Sequence, residues 1–416
     1  MKLPALPKMK SLGDNPAATR RIMIDVLIAL APCAAAAVLF FGYHVAVNLV
    51  VCAGACFGAE LLFNLIVKGF KKENVKKSSC TDFSCLVTAA VLALLLPAKA
   101  AVKGWDLNFY ADGFRTGGGV NNILFSFDIL ILCILGSIFA IGLVKMLFGG
   151  IAQNLLNPAG AARLFLFVCF ALTAVQAAVP GLTATSGATW LSGDKATDEP
   201  AALMQLFLGN RGAAGAGETS MIAIIIGYIY LSVRRVIDFR LPLIGLGCFM
   251  LFILIFDGMI AQSLLFWADT PQRLANNVFA NVLSGGFVFC LVFMASDKAT
   301  TPSTFWGGVI FVAGFGLLTA LLRAFSVWSE GAIFALLAMN LTAPLLRLRE
   351  RKHSCQWSVV SGQLKEDENP SALAENYKLK TDNSSSTENC QLKTDNSPST
   401  DHCTLATDHC TKGVSV

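Results

Sequence analysis

The sequence predicts an all-α polytopic membrane protein of about ten transmembrane helices, and three observations carry that expectation. Of 416 residues, 55% are apolar and 14% charged, with a mean hydropathy of +0.62; a soluble domain runs nearer a quarter charged. Long uncharged runs extend over Val26–Ala59, Leu164–Gly193, Leu274–Ser296 and Ala299–Leu322, each able to supply the roughly 20 apolar residues that cross a bilayer. Lys and Arg gather in four clusters that fall on one side when ten spans are counted, as the positive-inside rule requires. The net charge of +5 therefore sits where a membrane protein places it, and it gives no reason to expect a nucleic-acid partner.

In chain order the expected spans are 22–43, 44–67, 84–102, 123–144, 161–180, 219–233, 241–260, 278–296, 304–322 and 330–346. The first two share the uncharged run that follows Arg20 and Arg21. Asp82 and Lys103 bracket the third, and the sixth has only the stretch between Glu218 and Arg234. The eighth and ninth are the two uncharged runs on either side of Asp297 and Lys298. The basic clusters are Lys2, Lys8, Lys10, Arg20 and Arg21; then Lys68, Lys71, Lys72, Lys76 and Lys77; then Arg234, Arg235 and Arg240; then Arg347, Arg349, Arg351 and Lys352. This count puts both termini in the cytoplasm and the loops 103–122, 181–218 and 261–277 outside, with Lys99, Lys103 and Arg115 as exceptions at the first loop. The basic start contains three prolines and a glycine, and the first apolar run is long, so no cleavable signal peptide is expected.

Ten spans divide into five and five, which makes the second half inverted relative to the first, as in proteins that form a site between two halves near the membrane midplane. The sequence echo is faint. A Phe/Ser-rich run leads from Asp82 to Pro97, and the Ser284–Gly286 run leads to Asp297 and Pro302. The domain plan is then a cytoplasmic segment 1–21, a membrane domain 22–348 and a low-complexity cytoplasmic tail 349–416. The tail repeats itself, with Leu379, Leu392 and Leu405 opening related units; polar units this short bury no core and predict disorder. Thirteen cysteines, an odd number without regular spacing, suggest no disulfide framework. Cys52 and Cys56 share a helix face and read as packing rather than as ligands of a cluster.

Four segments carry chemistry. The outward loop holds Ser186-Gly187-Ala188-Thr189 followed by Trp190, in which small neighbours leave the Thr189 hydroxyl open. It runs on through Leu208-Gly209-Asn210-Arg211-Gly212 to Gly215, Gly217, Glu218, Thr219 and Ser220, a glycine-rich entry to the sixth span that would suit an anion. The third is Phe293-Met294-Ala295-Ser296-Asp297-Lys298 leading to Pro302, and the fourth runs from Leu322-Arg323 through Trp328, Glu330 and Gly331 to Asn340.

In this order, together with Asn157-Pro158-Ala159 and Arg163 ahead of the fifth span, these segments resemble the D-type subunit of the Rnf-type ion-translocating electron-transport complexes. The likeness extends to the B-type subunit of the sodium-pumping NADH:quinone reductases and covers about residues 20–348. The absence of a long N-terminal extension favours the Rnf assignment. The resemblance implies FMN joined through its phosphate to Thr189, which closes the Ser186-Gly187-Ala188-Thr189 motif, by a dedicated flavin transferase. Thr183 and Trp190 stand where the family usually has an acidic residue and a proline. By analogy with the reductase counterpart, a non-covalent riboflavin between the halves is a second candidate cofactor. The implied role is a translocase subunit in a bacterial inner membrane, relaying electrons between ferredoxin and NAD while Na⁺ or H⁺ moves. Its partners would be the other Rnf subunits, including a second flavin subunit. Neither a catalytic side chain nor a metal site is expected on this chain.

Acids within spans are the second lead, because a charge in hydrocarbon is costly and such residues commonly face protein or an ion route. Asp25, Asp128 and Asp257 are positioned to cap span ends. Glu60 lies deeper, and Asp297 sits beside Lys298; these two are the candidate ion-pathway residues. A channel or secondary transporter of the inverted-repeat type, without flavin, is the alternative reading, and a scaffolding subunit that has lost its flavin is the third.

Overall fold

The structure, a computed structural model, describes residues 16–70, 82–101, 108–110, 123–148, 154–170, 173–175, 204, 207–209, 215–260, 278–297, 300–302, 304–325 and 331–346. The chain divides into a unit of residues 1–352 and a second of 353–416, and every described residue falls in the first. The candidate tail, 349–416, lies outside the described residues.

Apolar segments without exposed main-chain partners become helices because each must satisfy its own N–H and C=O groups. Helix α1 (Pro16–Phe41) and α2 (Tyr43–Phe70) are separated only by Gly42. Its φ of 76° is the left-handed conformation that glycine adopts without penalty, and its N–H donates to the Val38 carbonyl at 2.8 Å, closing α1. There follow α3 (Ser84–Leu95), α4 (Phe127–Ile138) continuing as a π-helical stretch (Phe139–Met146), and α5 (Pro158–Phe170). A 3₁₀ turn (Ala216–Glu218) leads into α6 (Met221–Val233) and then α7 (Arg240–Ile260). Beyond these lie α8 (278–283), α9 (Phe287–Phe293), α10 (Phe305–Phe325) and α11 (Ala332–Leu346).

Four stretches, Ala17–Phe41, Tyr43–Ile66, Phe127–Met146 and Phe305–Phe325, are long and apolar enough to cross a membrane. Shorter apolar helices occupy Ser84–Leu95, Pro158–Phe170, Met221–Val233, Arg240–Phe256 and Ala332–Leu346. The architecture is that of a helical membrane protein. Its connections add two short antiparallel pairings, of β1 (Lys99–Ala101) with β4 (Thr173–Val175) and of β2 (Asn108–Tyr110) with β3 (Ile123–Ser126).

Two sequence expectations need correction. The third span, expected at 84–102, stops at Leu95, because Pro97 disfavours helical geometry in the residue before it and Leu96 is accordingly extended, with ψ 151°. At about 1.5 Å per residue, α3 is only about 18 Å long, well short of a hydrocarbon core of about 30 Å. The eighth span is broken: α8 and α9 flank Ser284-Gly285-Gly286, and Gly285 has φ 70°. These small residues interrupt the helix, and Gly286 faces the Glu218 carboxylate with no room for a Cβ.

Close approach occurs at other glycines. A Cβ on Gly227 would fall 2.5 Å from the Ala29 carbonyl oxygen, which fixes α6 against α1. One on Gly316 would fall 3.0 Å from the Gly245 carbonyl oxygen, which fixes α10 against α7. Small residues play this part wherever helices pack without a hydrophobic drive to associate. Phe249, Phe287 and Phe315 stack in sequence, with centroids 3.9 and 5.2 Å apart, tying α7, α9 and α10 together.

Candidate functional site

Glu60, on α2, is fully buried, and the charge that compensates it comes from Lys145, which is 2% exposed. The ammonium lies 3.0 Å from each Glu60 carboxylate oxygen and donates a third hydrogen bond, of 2.8 Å, to Ser84 Oγ. An ammonium has three N–H donors, so all three have a partner here. Desolvating two charges is costly, and removing one partner of such a pair typically costs about 3–5 kcal/mol. Each side chain arrives by a local irregularity. Lys145 stands in the π-helical end of the fourth helix, a conformation that recurs at functional positions. Ser84 opens α3 directly after Phe83, whose left-handed φ of 56° turns the chain and whose ring lies 4.9 Å beneath the Arg20 guanidinium.

Lys145 and Ser84 also line a cavity of about 90 Å³. Its lining is drawn from residues 22–159, including Thr88, Asn154 and Asn157, and from residues 231–297, including Ser296 and Asp297, with apolar side chains making up most of it. Of the two acids selected from the sequence, Asp297 lines this cavity, whereas Glu60 does not and is linked to it only through its contact with Lys145. The main chain at Asp297 is held by a turn, in which its carbonyl accepts from the N–H groups of Thr300 and Thr301 and from Thr301 Oγ1 at 2.6 Å. Lys298 lies outside the described residues.

A second buried cation supports the break in the eighth span. Arg323, near the end of α10, donates to the Asn281 carbonyl and, at 3.2 Å, to the Ser284 carbonyl. Its guanidinium lies 5.2 Å over the Phe249 ring, a favourable cation–π placement. A helix end leaves carbonyls without intrahelical donors, and this side chain satisfies two of them inside the bundle.

The remaining candidates sort plainly. Asp25 pairs with Arg234, 3.1 Å away, and accepts from Tyr230 at 3.2 Å, a half-buried tie between α1 and the end of α6. Asp128 lies in the first turn of α4, where an acid favours a helix N-terminus, but it is fully buried rather than interfacial. The Asp257 side chain lies outside the described residues. Asn157 caps α5, its Oδ1 accepting from the N–H groups of Ala159 and Gly160, while Pro158 takes the first helical position. Arg163 is buried one turn on. Cys52, Cys56 and Cys133 are buried, and Ser137 Oγ donates to the Cys52 carbonyl at 3.5 Å, so α2 and α4 are tied together there. Among the described residues no group of three or more His, Cys, Asp or Glu is placed to hold a metal ion. Ser186, Gly187, Ala188 and Thr189 lie outside the described residues, as does most of the loop 181–218.

Sequence reasoning missed Lys145 as a partner of Glu60. The signal was available: Lys145 is the one basic residue between Arg115 and Arg163, and it follows an apolar run long enough to carry it across the bundle.

The profile of the NQR2, RnfD, RnfE family matches residues 10–105 and 126–355. The chain is 31% identical over 332 residues to the D-type subunit of the Na(+)-translocating ferredoxin:NAD(+) oxidoreductase complex of Acetobacterium woodii, covering 79% of this chain and 88% of that protein. It is 28% identical over 342 residues to the proton-translocating counterpart of Clostridium ljungdahlii, covering 78% and 88%. The B-type subunit of the Na(+)-translocating NADH-quinone reductase of Pseudomonas paraeruginosa is 31% identical over 290 residues, covering 64% and 68%.

Proposed function

Because the chain belongs to the NQR2, RnfD, RnfE family, we propose that it is the D-type membrane subunit of an ion-translocating ferredoxin:NAD⁺ oxidoreductase complex. The observation that carries the ion-moving part is a cavity in the helical bundle that Asp297, Lys145 and the hydroxyl residues Ser84, Thr88 and Ser296 line among apolar side chains, with Glu60 held against Lys145. Carboxylate, hydroxyl and amide oxygens are the donors that a hard cation takes in place of water. In this reading Asp297 and the hydroxyls of Ser84, Thr88 and Ser296 receive the ion, and Glu60 holds the adjoining charge.

The electron-relaying part rests on Thr189. Its hydroxyl carries FMN as a phosphoester formed by a flavin transferase on the outer side of the membrane, with Ser186, Gly187 and Ala188 completing the recognition motif. Bound there, the flavin would supply acceptance and release of single electrons, while the protein sets its distance and potential. A riboflavin between the halves is the second cofactor of this reading. The chain works beside the other membrane subunits and a second flavin subunit in the bacterial inner membrane.

The chain crosses that membrane ten times, as two inverted halves of five. Lys145 and Arg323 support the repeat: each lies eighteen residues beyond a phenylalanine that opens its helix, Phe127 and Phe305. Each also reaches a short helix made earlier in the chain, Lys145 at the start of α3 and Arg323 at the end of α8. With both termini cytoplasmic, a reporter active only outside the cytoplasm should be active when fused near Ala213 and silent after Lys352. The reverse pattern would remove both the span count and the outward position of Thr189.

The function itself is tested in membrane vesicles. With reduced ferredoxin and NAD⁺, vesicles bearing the complete complex should take up Na⁺ or H⁺ as NAD⁺ is reduced, and vesicles lacking this chain should do neither. Ion flux that persists without any electron donor would favour a channel or secondary transporter, a reading that the broken eighth helix also fits.

A further inference from the structure

We infer that Lys145 is a tethered counter-ion that an incoming sodium ion must displace from Glu60, so that this lysine sets the sodium affinity of the route. The inference rests on the reading of Glu60 and the adjoining cavity as part of that route.

The argument begins with what an ordinary buried ion pair requires. Glu60 needs one positive charge within hydrogen-bond reach, and a pair sealed in apolar packing would supply it permanently. Lys145 is not sealed in that way. Its ammonium is 3.0 Å from both carboxylate oxygens, yet the same residue forms part of the cavity wall. Lys145 lines the cavity and Glu60 does not, so a cation there stands beside the ammonium that holds the carboxylate, and the two compete for one anion.

The surroundings allow the exchange. Ser84 Oγ accepts from the ammonium at 2.8 Å and lines the cavity as well, so a hydroxyl remains as a partner once Glu60 is taken. Asp297 lines the same cavity and supplies a second negative charge to it. The charge count favours entry: one ammonium stands against the carboxylates of Glu60 and Asp297 when the cavity holds only water, and two cations face two carboxylates when sodium has entered. Lysine suits the task because its ammonium is compact, sits on a flexible four-carbon stem and presents rotatable donors, whereas a guanidinium would grip the carboxylate with a rigid, bidentate fork. The stem is anchored in the π-helical stretch Phe139–Met146.

The test uses the complete complex in proteoliposomes, with ferredoxin-driven uptake of ²²Na⁺ measured against sodium concentration at fixed pH. Lys145→Met removes the competitor, and the half-saturating sodium concentration should fall about tenfold, equivalent to ~1.4 kcal/mol of affinity. Lys145→Arg strengthens it, and the half-saturating concentration should rise by a similar factor. Arginine keeps the charge, so this variant decides the matter if Lys145→Met fails to assemble. A structural pair would change the amount of folded complex in either variant but not the concentration dependence of what assembles. Wild-type half-saturation in the assembled variants would overturn the inference, as would uptake that shows no dependence on sodium. Glu60→Gln, run in parallel, separates the two levels. Impaired uptake there, with unaltered half-saturation in both lysine variants, removes only the role of Lys145; unimpaired uptake there removes the ion-route reading on which it stands.

Discussion

A Thr189→Ala chain should give a denatured band with no flavin fluorescence under ultraviolet light, while remaining in the membrane at the wild-type level. A phosphoester needs an oxygen nucleophile on the side chain, and alanine offers only a methyl group, so the expected loss is complete rather than graded. Serine keeps the hydroxyl without the methyl group, and Thr189→Ser should retain part of the signal. The sequence assigns Thr189 to an outward loop, where changes usually stay within about 0.5 kcal/mol, so the substitution should leave the thermal stability of the bundle unchanged. Mass spectrometry of the peptide containing Thr189 should show the FMN adduct in the wild-type chain alone. A fluorescent Thr189→Ala band would place the tether elsewhere.

Glu60→Gln should have two effects that different measurements separate. Glutamine matches glutamate in shape but leaves the Lys145 charge, 2% exposed, without its counter-ion, and breaking a buried pair in this way costs about 3–5 kcal/mol. The unfolding midpoint of the detergent-solubilised complex should fall accordingly. In vesicles, the ions moved per electron transferred should fall roughly tenfold or more, equivalent to at least ~1.4 kcal/mol in the coupling step, with flavin content unchanged. Asp297→Asn should act in the same direction with a smaller stability cost, because Asp297 is only half-buried. Unchanged transport in both variants, with the complex intact, would reduce these acids to structural pairing.

The long elements were legible because their signal is compositional. α1, α2, α4 with its π-helical end, and α10 follow strongly apolar runs whose length alone implies a crossing. The misreadings occur where apolar composition and backbone geometry disagree. Leu96-Pro97 ends α3 within a run that hydropathy treats as continuous, and Gly285 divides the eighth span although its neighbours are as apolar as those of any helix. Hydropathy averages over a window and does not register a single left-handed φ. The candidate site was half legible for a related reason. An acid inside a span announces itself by its cost, so Glu60 and Asp297 could be picked out. Their relation to each other depends on Lys145 and Ser84, which are distant from both in sequence and adjacent only after α2, α3 and the fourth helix have packed. The Asn157-Pro158-Ala159 segment proved to be a helix cap.

The break between α8 and α9 imposes an order on biosynthesis. Within a membrane, main-chain carbonyls need a donor from protein, since lipid offers none. Two of those at the break, on Asn281 and Ser284, depend on Arg323, which the ribosome adds about forty residues later. Until α10 has emerged and moved alongside, residues 278–293 have no settled place in the hydrocarbon. This part of the chain should therefore settle around its arginine as a block, and a stalled nascent chain ending before residue 323 should remain accessible to protease or chaperone in a way that one ending beyond it is not.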